Sequence, residues 1–114
     1  MINKSRDIQA ALSAIPEVKK VSLAYPDSFA DLPRVSFFEA NNSPAEFSDD
    51  CEYLSELNFQ IDVWAEKWDD VYDIAIDVDD AMSGIGFTRE FSADVPDDQS
   101  NIKHKTMRYQ FIGG

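Results

Sequence analysis

The 114-residue sequence is poor in the residues that most often carry chemistry, with one cysteine, Cys51, and one histidine, His104. That count excludes a Cys/His zinc centre and an internal disulfide. A Ser-His-Asp relay would have to use His104, which stands between Lys103 and Lys105 on an expected edge strand, a poor setting for a general base. Neither G-x-G-x-x-G nor G-x-x-x-x-G-K-[ST] occurs, so the common phosphate-binding loops are absent. The run from Asp77 to Asp80 lacks the glycine and the distal glutamate of an EF-hand loop, and on a helix its acids diverge. No catalytic, cofactor or metal site is therefore expected. Long apolar runs are missing too. Nothing approaches the roughly 18 residues of a membrane span, and the opening MINKSRDIQAALSAIPE has no signal-peptide core.

Basic residues are scarce: ten Lys and Arg stand against 22 Asp and Glu, a net charge of -12. Phosphate backbones and anionic membranes select Lys and Arg, so unassisted binding to either is disfavoured. DNA sliding past such a surface would nevertheless be kept from adhering. Cys51 lies among carboxylates that disfavour its thiolate, and a lone cysteine fits a reducing compartment, so a cytoplasmic protein is expected. A hydrophobic fraction of 44% with eight Phe, four Tyr and two Trp belongs to a folded chain and not to an acidic tail. The length suits one domain, residues 1–114, around one modest core.

The chain is organised around the stretch from Tyr53 to Gly84. Tyr53, Ser55, Leu57, Phe59, Ile61, Val63 and Ala65 alternate with Glu56, Asn58, Gln60 and Asp62, which predicts a long strand with one buried face. Leu54 and Trp64 interrupt the polar face. Trp64 either touches a neighbouring loop or anchors a contact between subunits. After Lys67 the period lengthens: Trp68, Val71, Tyr72, Ala75, Val78, Ala81 and Met82 share one side of a helix that opens with Asp69 and Asp70 and is expected to end at a left-handed Gly84. Its other side carries Asp73, Asp77 and Asp80, whose like charges at helical spacing cost a few tenths of a kcal/mol per pair with no basic residue at i+4 to offset them. The stripe is either a solubilising surface or one that repels or attracts something specific.

Elsewhere, Ser5 is expected to cap a short helix bearing Ile8, Ala11, Leu12 and Ile15, closed by Pro16. Val21 to Tyr25 and Arg34 to Glu39 are expected strands. Residues 40–52, ANNSPAEFSDDCE, lack periodicity and are expected as a long flexible loop, with Phe47 either tucked onto the core or exposed as an anchor. Phe87, Phe91, Ala93 and Val95 predict a one-sided strand whose apolar face Arg89 interrupts. The final strand, Ile102 to Ile112, sets Met107, Tyr109 and Phe111 against His104, Thr106, Arg108 and Gln110. Lys103, Lys105 and Arg108 give it the one basic cluster of the sequence, suited to contacts between subunits or simply to blunting an edge. Together these elements predict an α+β two-layer sandwich: a twisted, mostly antiparallel or mixed sheet with two helices on one face.

The whole-chain pattern resembles the tail-completion, or tail-terminator, proteins at the head-tail junction of long-tailed bacteriophages and prophages. The likeness rests on IPEVKKVSLAYP, LPRVSFFEA, the strand LNFQIDVWAE, the helix WDDVYDIAIDVDDAMSGIGF and the closing NIKHKTMRYQFIG. It implies a non-enzymatic assembly protein that caps the tail tube and joins it to the filled head as a homo-oligomeric, hexameric ring around the DNA path. Its partners would be the tail-tube protein and a head-completion or connector protein. DNA would pass without being specifically bound, and no membrane or cofactor would be involved. It would act in the host cytoplasm during assembly and then at the head-proximal end of the tail in the virion. In such a ring Asp73, Asp77 and Asp80 would face the DNA path, while Phe47, Trp64, Lys103, Lys105 and Arg108 would contact neighbours. The alternative from composition is an acidic protein that inhibits a basic partner, in the extreme by mimicking DNA. A small carboxylate enzyme or ligand-binding domain is a third option, and would need a pocket that sequence does not reveal.

Overall fold

The computed structural model describes residues 1–48, 51–97 and 100–114, the side chains of 46–48 and 51–53 excepted. In chain order the elements are α1 (Ser5–Ser13), β1 (Lys20–Leu23), β2 (Arg34–Ser48), β3 (Cys51–Ala65), α2 (Trp68–Gly84), β4 (Thr88–Asp94) and β5 (Lys103–Gly113). One five-stranded sheet runs β1-β2-β3-β5-β4, with β1 parallel to β2 and every other pair antiparallel. The mixed α+β sandwich expected from the sequence is the fold observed.

The alternation in β3 explains its central place. Leu57, Phe59, Ile61, Val63 and Ala65 are all buried on the helix side, together with Val35 and Phe37 from β2 and Met107 and Tyr109 from β5. Onto them α2 lays Val71, Ile74, Ala75, Val78 and Met82, and α1 lays Ile8 and Leu12. All of these residues belong to one contiguous core, so both helices lie on the same sheet face. At the centre of that core Phe59 meets Phe37 and, edge to face, Phe87.

The strand of His104, expected at an edge, is β5 and lies inside the sheet between β3 and β4, and four more local expectations need correction. The amide that opens α1 is capped by the Asn3 side chain, whose Oδ1 lies 2.9 Å from the Ser5 nitrogen; Ser5 itself is the first helical residue. The left-handed residue after α2 is Gly86, at φ 93°, and not Gly84. Gly86 N–H donates to the Ser83 carbonyl and Phe87 N–H to the Met82 carbonyl, the paired closure of a Schellman turn. The ring of Phe111 closes on that glycine, where a Cβ would come within 3.2 Å of it.

The third correction concerns residues 40–52. The backbone of 40–48 continues β2 and that of 51–52 begins β3, paired from Asn41 opposite Asn58 to Ser48 opposite Cys51. This is a two-stranded arm rather than a loop. It shows no hydrophobic alternation because β5 pairs with β3 only from Ser55 onward and β1 covers β2 only between Arg34 and Phe37. None of the described side chains from Ala40 to Ala45 is buried, so this part of the arm has no dry face to encode. Pro44 is tolerated because β2 is an edge strand there, and the register shifts on both sides of Glu46 fall in the same stretch.

The fourth concerns β4. A bulge at Glu90, between Arg89 opposite Tyr109 and Phe91 opposite Arg108, inverts the faces beyond it. Arg89 stays on the helix side, whereas Phe91, expected inside, is 49% exposed and borders the open sheet face.

Candidate assembly surfaces

The sheet face that the helices leave free is polar but not featureless. Asp62, on β3, is fully buried there and accepts hydrogen bonds from Gln60 Nε2; His104 Nε2, one strand over on β5, lies 2.7 Å from its Oδ1. The imidazole stacks on Trp64, ring centroids 3.7 Å apart, and the indole N–H donates to Ser36 Oγ at 3.1 Å. On its other sides Trp64 meets Phe29 and Tyr25 from the segment between β1 and β2. That segment is tied down from below by Arg34, whose guanidinium is 1% exposed. Its Nη1 donates to the Ser28 carbonyl and its Nη2 to Ser22 Oγ, each at 2.7 Å. Next to this cluster a groove of about 490 Å³ opens between Gln60, His104, Arg108 and the exposed Phe91 and Val95.

The acidic side of α2 points away from the sheet. Asp73 and Asp80 are exposed and Asp77 half-buried, and none of the three takes part in an ion pair among the described residues. The flank of α2 nearest β4 is different. Tyr72 donates to Asp94 Oδ2 at 2.7 Å, Lys105 reaches Asp94 Oδ1 at 3.2 Å and also lies over the Tyr72 ring, and Arg89 pairs with Asp79 at 3.6 Å. The Tyr72 bond holds the Asp94 carboxyl below the usual range, helped by Lys105 against a smaller cost of desolvation. Asp94 in turn raises the pKa of Tyr72.

Tyr109 is the strongest case. Burial, and then its 2.9 Å hydrogen bond to Asp79, push its pKa far above the ordinary tyrosine range. The folded state therefore holds that proton more tightly than the unfolded chain does, so the associated stability is complete below about pH 10 and is lost as pH rises beyond it. Tyr109→Phe should weaken the protein by about 0.5–1.5 kcal/mol at neutral pH, through the lost hydrogen bond. It should also shift the alkaline unfolding midpoint upward relative to its own neutral stability, as followed by circular dichroism.

The residues expected to contact neighbours are dispersed by this geometry. Lys103 and Lys105 project on the helix side of β5 with Met107 and Tyr109, while Arg108 projects on the open face, donating to Gln60 Oε1 at 3.1 Å. The basic cluster of the sequence is thus split between two faces, because successive residues of a strand alternate. Lys105 is satisfied internally by Asp94. Trp64 is half-buried and touches the 24–33 segment, so its contacts are already made within the chain. For Phe47 only the backbone, opposite Glu52, is described, and its role as an anchor lies outside the described side chains. Asp73, Asp77 and Asp80 do form one continuous surface. The sequence analysis missed the Asp62–His104 pair and the Arg34 latch. The one hint of either was a charged residue placed inside a strand, at Asp62 and at the start of β2.

This α+β unit thus presents a polar sheet face, a two-stranded arm and two strand edges uncovered by any other strand among the described residues. Solved structures share the fold. A chain in the virion of a native gene transfer agent particle superposes with a TM-score of 0.63 at 18% identity, over 93% of this chain and 84% of that one. The gp17 protein of bacteriophage SPP1 gives 0.55 at 20% identity, over 94% and 88%. No family model matches the chain, and no curated protein does. At these identities the likeness is one of fold, the α+β arrangement that the sequence led one to expect.

Proposed function

We propose that the protein is a non-enzymatic structural protein of a phage or prophage virion, which caps the tail tube and joins it to the DNA-filled head as a ring around the DNA path. The observation that carries this reading is the fold shared over more than nine-tenths of the chain with SPP1 gp17 and with a component of a gene transfer agent virion. The electrostatics agree with it. A net charge of -12, with Asp73, Asp77 and Asp80 turned outward along α2, gives a surface past which DNA slides without adhering. The partners would be the tail-tube protein on one side and a head-completion or connector protein on the other, met in the host cytoplasm and retained in the virion. No helix of the described residues is long and apolar enough to cross a membrane.

The test is electron microscopy of the purified protein mixed with tail tubes of its own phage or prophage, together with its mass in free solution. Rings at one end of the tubes are the expected result. Bare tube ends, with a monomer that captures a basic protein in a salt-sensitive manner, would transfer the assignment to the acidic inhibitor.

A further inference from the structure

We infer that copies of this chain associate head to tail, with the α2–β4 end of one protomer seated against the α1–β1 end of the next. The inference rests on the ring proposed above and names the surfaces that would build it. The strands β1 and β4 are the two edges of the sheet, so these ends lie on opposite sides of the molecule. Each end combines an uncovered strand edge with a groove beside a helix and a large exposed aliphatic side chain. At the first end a groove of about 380 Å³ lies between α1 and β1, bordered by Arg6, Gln9 and Ala10 and by Leu23, which is 69% exposed. At the other a groove of about 270 Å³ lies between α2 and β4, bordered by Tyr72 and by Ile76, which is 62% exposed. Isolated exposed aliphatics are ordinary, but two of them at opposite edges, each beside a groove, form a complementary pair.

Charge decides which end meets which. Arg6, Lys19 and Lys20 are exposed at the α1–β1 end, against Glu17, while Lys4 and Asp7 pair with each other. The α2–β4 end carries Asp80, at the rim of its groove, and Glu90, which is exposed and accepts from Asn58 Nδ2, beyond the pairs Asp79–Arg89 and Asp94–Lys105 that are satisfied within the chain. Pairing two identical ends would set like charge against like, whereas pairing unlike ends brings acid to base. A contact between unlike patches is heterologous, and such contacts generate rings when the rotation closes. The bulge at Glu90 interrupts the β4 edge and so disfavours indiscriminate strand addition there.

The experiment uses the full chain carrying Cys51→Ser, with Leu23→Cys and Ile76→Cys introduced separately and together, and a short thiol-specific cross-linker applied in solution and on tail tubes. Both residues are exposed, so circular dichroism of the variants should match the wild type. The expected result is that the two single variants cross-link only when mixed, stopping at a dimer, and that the double variant gives a ladder of higher oligomers. Cross-linking of either single variant with itself, or none between them where the wild type forms rings on tubes, overturns the inference while leaving the ring intact. Absence of both rings and cross-links removes the two together. Cross-linked ladders without rings on tubes would uphold the contact and remove the tail-capping role alone.

Discussion

Arg34→Met is expected to destabilise the protein by about 2–4 kcal/mol, because hydrogen bonds to a charged group contribute about 1.5–3 kcal/mol each and two are lost, partly offset by no longer burying the charge. Methionine keeps most of the buried stem volume, so the loss reports the guanidinium rather than a cavity. The donors at stake reach the Ser28 carbonyl and Ser22 Oγ, both at 2.7 Å. Asp27 lies 3.7 Å from Nη2 but is 88% exposed, and that ion pair adds little. Nε is buried with no partner among the described residues, which already detracts from the native arrangement. With the latch gone, the 24–33 segment keeps its ring contacts, Phe29 and Tyr25 against Trp64 and Tyr25 against Phe38, and the backbone bonds at its ends, from Ala24 N–H to the Phe37 carbonyl and from Lys19 N–H to the Pro33 carbonyl. Urea unfolding should show a lower midpoint at unchanged slope, and chymotrypsin should cut faster at Tyr25 and Phe29. An unchanged midpoint would mean that the aromatic cluster and the backbone bonds at the segment's ends suffice to hold it and that the buried guanidinium is neutral to stability.

The parts of the fold that the sequence revealed are those with one wet and one dry face. In β3 and α2 the period changes at Lys67, and the buried residues follow the two periods as they stand. Where no such contrast exists the pattern falls silent. The arm has two polar faces, so strand and loop look alike in residues 40–48, and its ladder is maintained by backbone pairing that any sequence can make. A bulge is a different failure: one extra residue at Glu90 exchanges inside for outside, so the alternation from Phe87 to Val95 was read correctly for its first members and inverted for the rest. The basic cluster of β5 was an adjacency in one dimension that the strand divides between two faces. The Arg34 latch and the Asp62–His104 pair join residues 6, 12 and 42 positions apart. Only the folded sheet brings such residues together. The acidic side of α2 was recoverable because a single helix contains it.

Replacing Asp73, Asp77 and Asp80 together should separate stability from function. Neutralising all three to Asn relieves like-charge pairs at i,i+3 and i,i+4, including Asp69 with Asp73 and Asp73 with Asp77, each relief amounting to about 0.2–0.5 kcal/mol. Asn and Asp have similar helix propensities, so the variant should be as stable as the wild type or slightly more so. A triple Lys variant goes further, converting the repulsions into attractions toward Asp69 and Asp70 while reversing the sign of the outer surface of α2. If that surface lines the DNA path, particles built with the Lys variant should lose infectivity by roughly tenfold or more, the scale on which a charged surface changes the local concentration of a charged partner. The Asn variant should fall between the Lys variant and the wild type. The measurement is the titre of particles in which the variant supplies the missing protein, with thermal unfolding of the same proteins alongside. A stabler protein that makes poorer particles is the signature of a repulsion retained for what it faces. Equal titres for all three would mean that the repulsion faces only water, and that the acidic helix serves solubility alone.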